Sequence, residues 1–266
     1  MASETIETII LALSMVFLLV TGAILLIKGQ NKNDKAQSRL GGAYLCLVLL
    51  YVVWGLNLTS RYSIIYFVQL LVFVAIVFFI KGAFYTDRKS SFPLVLALTI
   101  VFGLIQVGQK LLSELGYLTD FRNAAYYPNL DNILSILWTL IPFGWMALSA
   151  HKARNELKSQ DVKPWILRRL LLVEITAIIE IFVSVPDLMN TVTEIDIGQP
   201  MWYLQIAIIS SFAVINFFAW AMPSWFKNLL NKGAQKKKTI EQIESEDETK
   251  MSEEAIMQEL MEVYQA

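Results

Sequence analysis

The sequence predicts an all-α membrane protein, a bundle of seven transmembrane helices, and two observations lead to this fold class. Of the 266 residues 56% are apolar, and the mean hydropathy is +0.52, which is too high for a soluble domain of this length. Charged residues make up 17% of the chain and are confined to short blocks. The apolar runs between these blocks have roughly twenty residues, enough to cross ~30 Å of hydrocarbon as a helix.

Seven apolar runs of this kind can be counted along the chain. The first begins after Glu4 and Glu7, and its stretch 9–27 is too long for the apolar core of a signal peptide, so we expect a retained helix. The predicted spans are 6–27, 40–58, 62–80, 92–113, 131–150, 165–187 and 201–222.

The basic residues lie almost entirely in alternate connections between the predicted spans. Of the 22 Lys and Arg residues, 18 follow the first, third, fifth or seventh span or surround those links. Because cytoplasmic loops carry the excess of Lys and Arg, we predict an N-terminus outside and a cytoplasmic C-terminus. The chain is therefore expected to be a multi-pass integral membrane protein, in contact with the lipid bilayer and located in the cell membrane.

Two regions with different compositions follow one another, the helix bundle over residues 1–230 and an acidic cytoplasmic tail over 231–266. Residues 239–266 contain nine acidic side chains. From Ser252 onward, apolar residues recur at helical spacing, which predicts a short amphipathic helix. We expect the tail to dock on a cytoplasmic protein partner or on the basic end of the bundle; the alternative is a solvated tail without a partner.

Polar residues inside the spans fall on single helix faces, which lipid does not solvate. In the fourth span the face comprises Thr99, Gly103, Gln106, Lys110 and Ser113, and in the sixth Thr176, Glu180, Ser184 and Asp187. Such faces are expected to point into the bundle. Glu180 is the most telling of these residues, because an ionisable group near the bilayer centre costs at least ~2.5 kcal/mol without a partner or water.

The depth of each residue follows from the predicted topology at ~1.5 Å per residue. Several inward-facing residues then fall in one layer, on the order of 10 Å below the outer surface. We predict a ligand-binding pocket there; an alternative is a hydrogen-bonded plug that only fixes helix packing. The predicted binding residues are Glu180, Lys110, Gln106, Gln69, Trp138, Gln205, Ser184 and Asp187.

Lys110 is the predicted counter-ion in this layer, paired with Glu180 or with Asp187. There are two alternatives. Either Lys110 pairs with Glu114 one turn further along the same helix, or its long side chain extends outward to the membrane surface. Glu174 belongs to another level of the sixth span. It lies one to two turns from Arg168 and Arg169, so we expect it to pair near the cytoplasmic side.

Seven spans with the N-terminus outside resemble the rhodopsin-type architecture, and the resemblance is one of topology only. The seventh span contains no lysine for a retinal Schiff base, and the receptor motifs DRY and NPxxY are absent. With one histidine and one cysteine, haem, di-iron and zinc sites are not expected, and we predict no cofactor or metal. No catalytic motif is found, so an enzyme is not predicted, and neither is a nucleic-acid partner.

The function predicted from these features is that of a receptor-like sensor. A small ligand would bind in the outward-facing polar pocket, and a helix shift would reach a cytoplasmic partner. One alternative is a small-solute or proton-coupled transporter. It is favoured by a faint repeat, in which Glu7 and Asp131 each begin a span and are followed 21 residues later by Lys28 and Lys152, and which allows a 3+1+3 helix arrangement. A second alternative is a structural membrane subunit.

Overall fold

Seven α-helices of 18 residues or more make up most of the part of the chain that the structure, a computed structural model, describes. That part comprises residues 2–55, 62–86, 88–118, 127–160, 162–185 and 198–231, and it contains no strand. A 3₁₀ turn over Phe182–Ser184 follows the sixth helix, and residues 224–231 are helical as well. The helices are α1 Ala2–Asn31, α2 Lys35–Gly55, α3 Tyr62–Phe84, α4 Phe92–Glu114, α5 Tyr127–Lys158, α6 Pro164–Ile181 and α7 Gly198–Trp220.

The prediction of an all-α, multi-pass membrane protein is confirmed in its coarse form. Among the described residues, six helices are long and apolar enough to cross a membrane, namely α1 to α5 and α7. The exception is α6, which places four charged side chains within 18 residues. Two of these charges are basic and lie near the start of α6, and two are acidic and lie further on. They make α6 too polar to be identified as a membrane span from its length and composition alone.

The helices form a closed ring in chain order. Each of α1 to α6 packs against the next helix, α7 packs against α1, and α3 also reaches α5 across the ring. Contacts between helix ends define two ends of the bundle. The Glu7 end is the one where Trp202 Nε1 donates to Glu7 Oε2 at 2.8 Å and Glu114 accepts from Ser63. The opposite end, where α1 meets α2, is called the Lys28 end.

The link between α1 and α2 is tight, and a carboxylate caps the second helix. Asp34 Oδ1 accepts hydrogen bonds from the backbone N–H groups of Ala36 at 3.0 Å and Gln37 at 3.1 Å. These N–H groups lie in the first turn, where a helix has no internal acceptors for them. The cap explains why α2 begins at Lys35, five residues before the predicted span.

The backbones of α1 and α2 approach closely at two glycines. A Cβ atom placed on Gly41 would lie 2.6 Å from the backbone nitrogen of Leu26 and 2.8 Å from the carbonyl oxygen of Gly22. A side chain larger than hydrogen therefore does not fit without separating the helices. Small residues at such contacts are typical of helix packing in membranes.

Aromatic side chains fill the middle of the bundle. The ring of Phe73 on α3 lies 4.8 Å from that of Trp138 and 5.6 Å from that of Phe143, both on α5. Phe143 in turn meets Phe212 of α7 edge to face at 6.4 Å. All four side chains are at most 3% exposed. This core joins α3, α5 and α7 and forms the floor beneath the polar residues at the Glu7 end.

The longest helix is α5, which has 32 residues and contains Pro142 within it. At ~1.5 Å per residue it is about 48 Å long, well beyond the ~30 Å of a hydrocarbon core. Its last turns at the Lys28 end carry Glu156, which forms an ion pair with Arg88 at 2.7 Å. Residues 232–266, and with them the predicted tail helix, lie outside the described part of the chain.

Candidate functional site

A cavity of about 310 Å³ opens among α2, α3, α5, α6 and α7, towards the Glu7 end. Apolar residues make up part of its lining, including Leu47, Ile65 and Ile209. The other seven lining residues have side chains with hydroxyl, amide or carboxyl groups: Tyr51, Tyr62, Tyr66, Gln69, Thr139, Glu180 and Gln205.

Glu180 is the one carboxylate among the described residues that line this cavity. Its side chain is 5% exposed, and its Oε2 atom has no hydrogen-bond partner within the described part of the chain. A buried ionised carboxylate without a partner costs several kcal/mol. A group from outside that donates a hydrogen bond or carries a positive charge would remove that cost.

The helical register of α6 directs Glu180 into the bundle. Val173, Thr176, Ala177 and Glu180 are the buried residues of this helix, and their spacing of three, one and three keeps them on one face. One residue later α6 gives way to the 3₁₀ turn, where the carbonyl oxygen of Val183 accepts from Gln205 Nε2 at 3.4 Å. Glu180 thus lies at the last full turn of α6, close to α7.

Three of the eight predicted binding residues lie around the cavity, namely Glu180, Gln69 and Gln205. They come from three different helices, so the predicted convergence of α3, α6 and α7 is observed in the structure. The side chain of Ser184 and the whole of Asp187 lie outside what the structure describes.

Lys110 and Gln106 belong to a separate cluster between α4 and α5. Lys110 Nζ lies 2.6 Å from Asp131 Oδ2 and 4.9 Å from the centre of the Tyr66 ring. Gln106 is fully buried, and in the amide orientation that satisfies both its atoms, Nε2 donates to Asp131 Oδ1 at 3.2 Å. Its Oε1 then accepts from the backbone N–H of Ser135 at 3.0 Å.

The predicted pairing of Lys110 with Glu180 is therefore wrong. Asp131, at the start of α5, is the partner because α4 and α5 are antiparallel neighbours whose ends meet. Glu180 is on α6, which packs against α5 and α7 on another side of the ring. The two residues lie at a similar depth along the helices, but at different positions around the bundle.

Trp138 forms a wall between the cavity and this cluster rather than part of the cavity lining. Its Nε1 donates to the carbonyl oxygen of Thr99 at 3.0 Å, and its ring is stacked on Tyr66 at 6.3 Å between centres. With the side chain only 1% exposed, its polar atom is already used by the protein. We assign Trp138 to packing and to the placement of Tyr66.

Four polar lining residues were not among the predicted binding residues: Thr139, Tyr51, Tyr62 and Tyr66. Thr139 follows Ser135 by one turn on α5 and donates to its carbonyl oxygen at 2.9 Å. The four-residue spacing of two hydroxyl side chains was available in the sequence as a signal. The tyrosines carried no such signal. A tyrosine near the membrane interface is common in membrane proteins, so its presence there does not indicate that it lines a cavity.

Glu174 pairs at the Lys28 side of α6, as predicted, but with other partners. Its Oε1 lies 2.9 Å from His151 Nδ1, and its Oε2 lies 3.0 Å from Arg154 Nη2. Arg169, one of the two predicted partners, instead donates from Nε to the carbonyl oxygen of Ala219 at 2.9 Å. Glu174 thus connects α6 to α5 and stays apart from the cavity.

Comparison with protein-family models gave no match, and comparisons with curated proteins and with solved structures gave none either. The geometry of the cavity is the basis for inferring a function.

Proposed function

We propose that this protein is a seven-transmembrane, receptor-like sensor that binds a small organic cation in the cavity around Glu180. In this proposal α6 also crosses the membrane, as the sixth of seven spans. The Glu7 end faces outside and the Lys28 end the cytoplasm, because the Lys28 end carries most of the bundle's basic residues. The binding of the ligand shifts α6, and a cytoplasmic protein reads the change at the Lys28 end.

The observation that carries the proposal is the buried Glu180 carboxyl group, whose Oε2 has no partner among the described residues and which faces a cavity rich in tyrosine. Tyr51, Tyr62 and Tyr66 line the same space. Aromatic rings attract ammonium groups, and a carboxylate supplies the opposite charge. The volume of about 310 Å³ is at the lower end for ligand pockets, which suits a small molecule.

The route from the cavity to the Lys28 end runs along α6. Glu180 and Val183 contact the cavity near the end of this helix. Six residues earlier, Glu174 is held by His151 and Arg154 of α5. A ligand that draws Glu180 towards the cavity would change the position of α6 relative to α5. Helix shifts of ~1–2 Å are a known way in which binding at one site changes the structure at another.

A transporter is the second candidate, and a buried polar chain in α2 and α7 favours it. Tyr44 Oη donates to Asn216 Oδ1 at 2.7 Å, and Trp220 Nε1 donates to the same oxygen at 3.2 Å. Tyr44 and Asn216 are at most 1% exposed. These hydrogen-bonded side chains place polar groups between the middle of the bundle and the Lys28 end. A path for a solute or a proton would require polar groups in this region.

Replacing Glu180 by glutamine is expected to weaken the binding of a cation about tenfold to a hundredfold, because a charge-assisted contact of ~1.5–3 kcal/mol is lost. Choline serves as the probe, and 3,3-dimethylbutanol as its uncharged analogue of the same shape. The measurement is the rise in melting temperature of the purified full chain with ligand concentration. Choline is expected to stabilise the protein and the alcohol to leave it unchanged.

Glu156→Gln is the control for this substitution. It removes a carboxylate that lies outside the cavity and away from α6, so the affinity for choline should stay within about twofold of the wild type. Equal affinity of Glu180→Gln and wild type, or equal binding of choline and the alcohol, would contradict the proposal.

The uptake of labelled choline into proteoliposomes separates the candidate functions. Saturable binding without uptake supports the receptor-like sensor. Uptake that Glu180→Gln abolishes supports the transporter. If choline neither binds nor crosses the membrane while Glu180→Gln changes only the melting temperature, the polar residues serve packing, as in a structural subunit.

A further inference from the structure

A second cavity, of about 320 Å³, lies at the Lys28 end between the ends of α1, α2, α6 and α7. Four of its lining residues are basic: Lys28, Lys32, Arg169 and Lys227. No acidic residue is among the described residues that line it. This composition distinguishes the cavity from the Glu180 site, whose described lining contains one acidic residue and no basic one.

Aromatic rings and backbone carbonyl groups hold the basic side chains in place. The guanidinium of Arg169 lies 5.0 Å from the centre of the Trp220 ring, while its Nε donates to Ala219 O. Lys227 Nζ lies 4.8 Å from the centre of the Trp165 ring. Cation–π contacts of this kind fix the direction of the charge without neutralising it.

The terminal nitrogens of Arg169 have no hydrogen-bond partner within the described part of the chain, although the residue is half-buried. A guanidinium presents these nitrogens as a fork that fits two oxygens of a phosphate group, and lysine adds a mobile point charge. Four like charges around one cavity repel one another, so an anion in their midst stabilises the arrangement. The cavity is thus built for a phosphate-type anion.

The helical segment 224–231 indicates where that anion comes from. It begins directly after Pro223 and carries Lys227, while Trp225 is 58% and Leu229 59% exposed. A short helix with exposed Trp and Leu beside Lys is typical of a segment lying in the membrane interface. The cavity next to it is then at the level of the lipid headgroups.

We propose that the Lys28-end cavity binds the phosphate group of an anionic lipid from the surrounding leaflet. Basic pockets between transmembrane helices on the cytoplasmic side bind such headgroups by the same chemistry. The lipid would join four helices, α1, α2, α6 and α7, whose ends are not otherwise linked by ion pairs among the described residues.

Native mass spectrometry of the detergent-solubilised full chain tests this proposal. The probes are phosphatidylglycerol, phosphatidylcholine and inorganic phosphate, each added separately. We expect retained phosphatidylglycerol, little phosphatidylcholine and no phosphate adduct. Lys227→Gln and Arg169→Gln should each lower the retained phosphatidylglycerol about fivefold, which corresponds to ~1 kcal/mol per basic residue.

Lys89→Gln is the matched control, since it removes one exposed positive charge from the same end but outside the cavity. Equal losses for Lys227→Gln and Lys89→Gln would overturn the proposal in favour of general surface attraction. Equal retention of the two lipids, or binding of inorganic phosphate without lipid, would overturn it as well.

The acidic tail is the competing occupant of this cavity. In a full-length variant with Glu244, Glu246 and Glu248 replaced by glutamine, we expect unchanged phosphatidylglycerol retention. A severalfold rise would mean that the tail occupies the cavity in the native chain, and the lipid proposal would then be abandoned.

Discussion

Replacing Lys110 by methionine is expected to lower the free energy of unfolding by ~3 kcal/mol, because Asp131 then remains as a carboxylate with little access to water. Lys110 and Asp131 are 16% and 17% exposed at a separation of 2.6 Å. The short side chain of Asp131 holds its charge beside Gln106 and α4, whereas a lysine can extend its long stem towards water. Asp131→Asn is therefore expected to cost less than Lys110→Met.

The unfolding of each variant in mixed micelles, measured by circular dichroism as the fraction of SDS increases, checks this order. The double variant Lys110→Met, Asp131→Asn should recover most of the lost stability, since it removes both charges of this ion pair. Lys89→Met changes an exposed lysine and should stay within about 0.5 kcal/mol of the wild type. A Lys110→Met curve identical to that of Lys89→Met would show that the ion pair contributes nothing.

Replacing Gly41 by alanine is expected to lower the free energy of unfolding by ~1–3 kcal/mol, the usual cost of forcing extra volume into a packed contact. The added methyl group would meet backbone atoms of Leu26 and Gly22, which cannot move without shifting α1. Gly42 is the matched control, one residue along the same helix. A Cβ there meets no atom within 4 Å.

Gly42→Ala is expected to be neutral or to raise stability by up to ~1 kcal/mol, because alanine favours the helix more than glycine does. The same detergent titration measures both variants. Equal effects of the two substitutions would mean that α1 and α2 are free to separate at this contact, contrary to the close approach of their backbones.

Much of the fold was predictable because a membrane imposes simple rules on sequence. Apolar runs of about twenty residues marked the helices, and the polar face of α4 was correctly placed inside, with Thr99, Gly103 and Gln106 buried. The spans at 40–58, 131–150 and 165–187 were less accurate, and the helix predicted at 131–150 extends over Tyr127–Lys158. An aspartate cap starts α2 earlier, and a 3₁₀ turn follows α6 from Phe182 onward.

The candidate site was predictable in depth but not in position around the bundle. Counting residues from helix ends placed Glu180, Lys110 and Gln106 at a similar level. It gave no information on which helices are neighbours, so Lys110 was predicted to pair with Glu180 or Asp187, and its ion pair with Asp131 was missed. The order of helices around the ring depends on tertiary packing, which the sequence pattern does not reveal. Among the lining residues that were missed, only Thr139 could have been predicted from its spacing to Ser135.

The length of α5 has a mechanical consequence for the whole bundle. Thr139 borders the cavity at one level of this helix, and Glu156 lies seventeen residues on, about 25 Å away. Pro142, between them, removes one backbone hydrogen-bond donor and weakens the helix there. If the segment beyond Pro142 tilts by about 5°, its tip moves by about 2 Å. A small change of angle next to the cavity would then produce a displacement of the helix end at the Lys28 end that is large enough for a bound protein to detect.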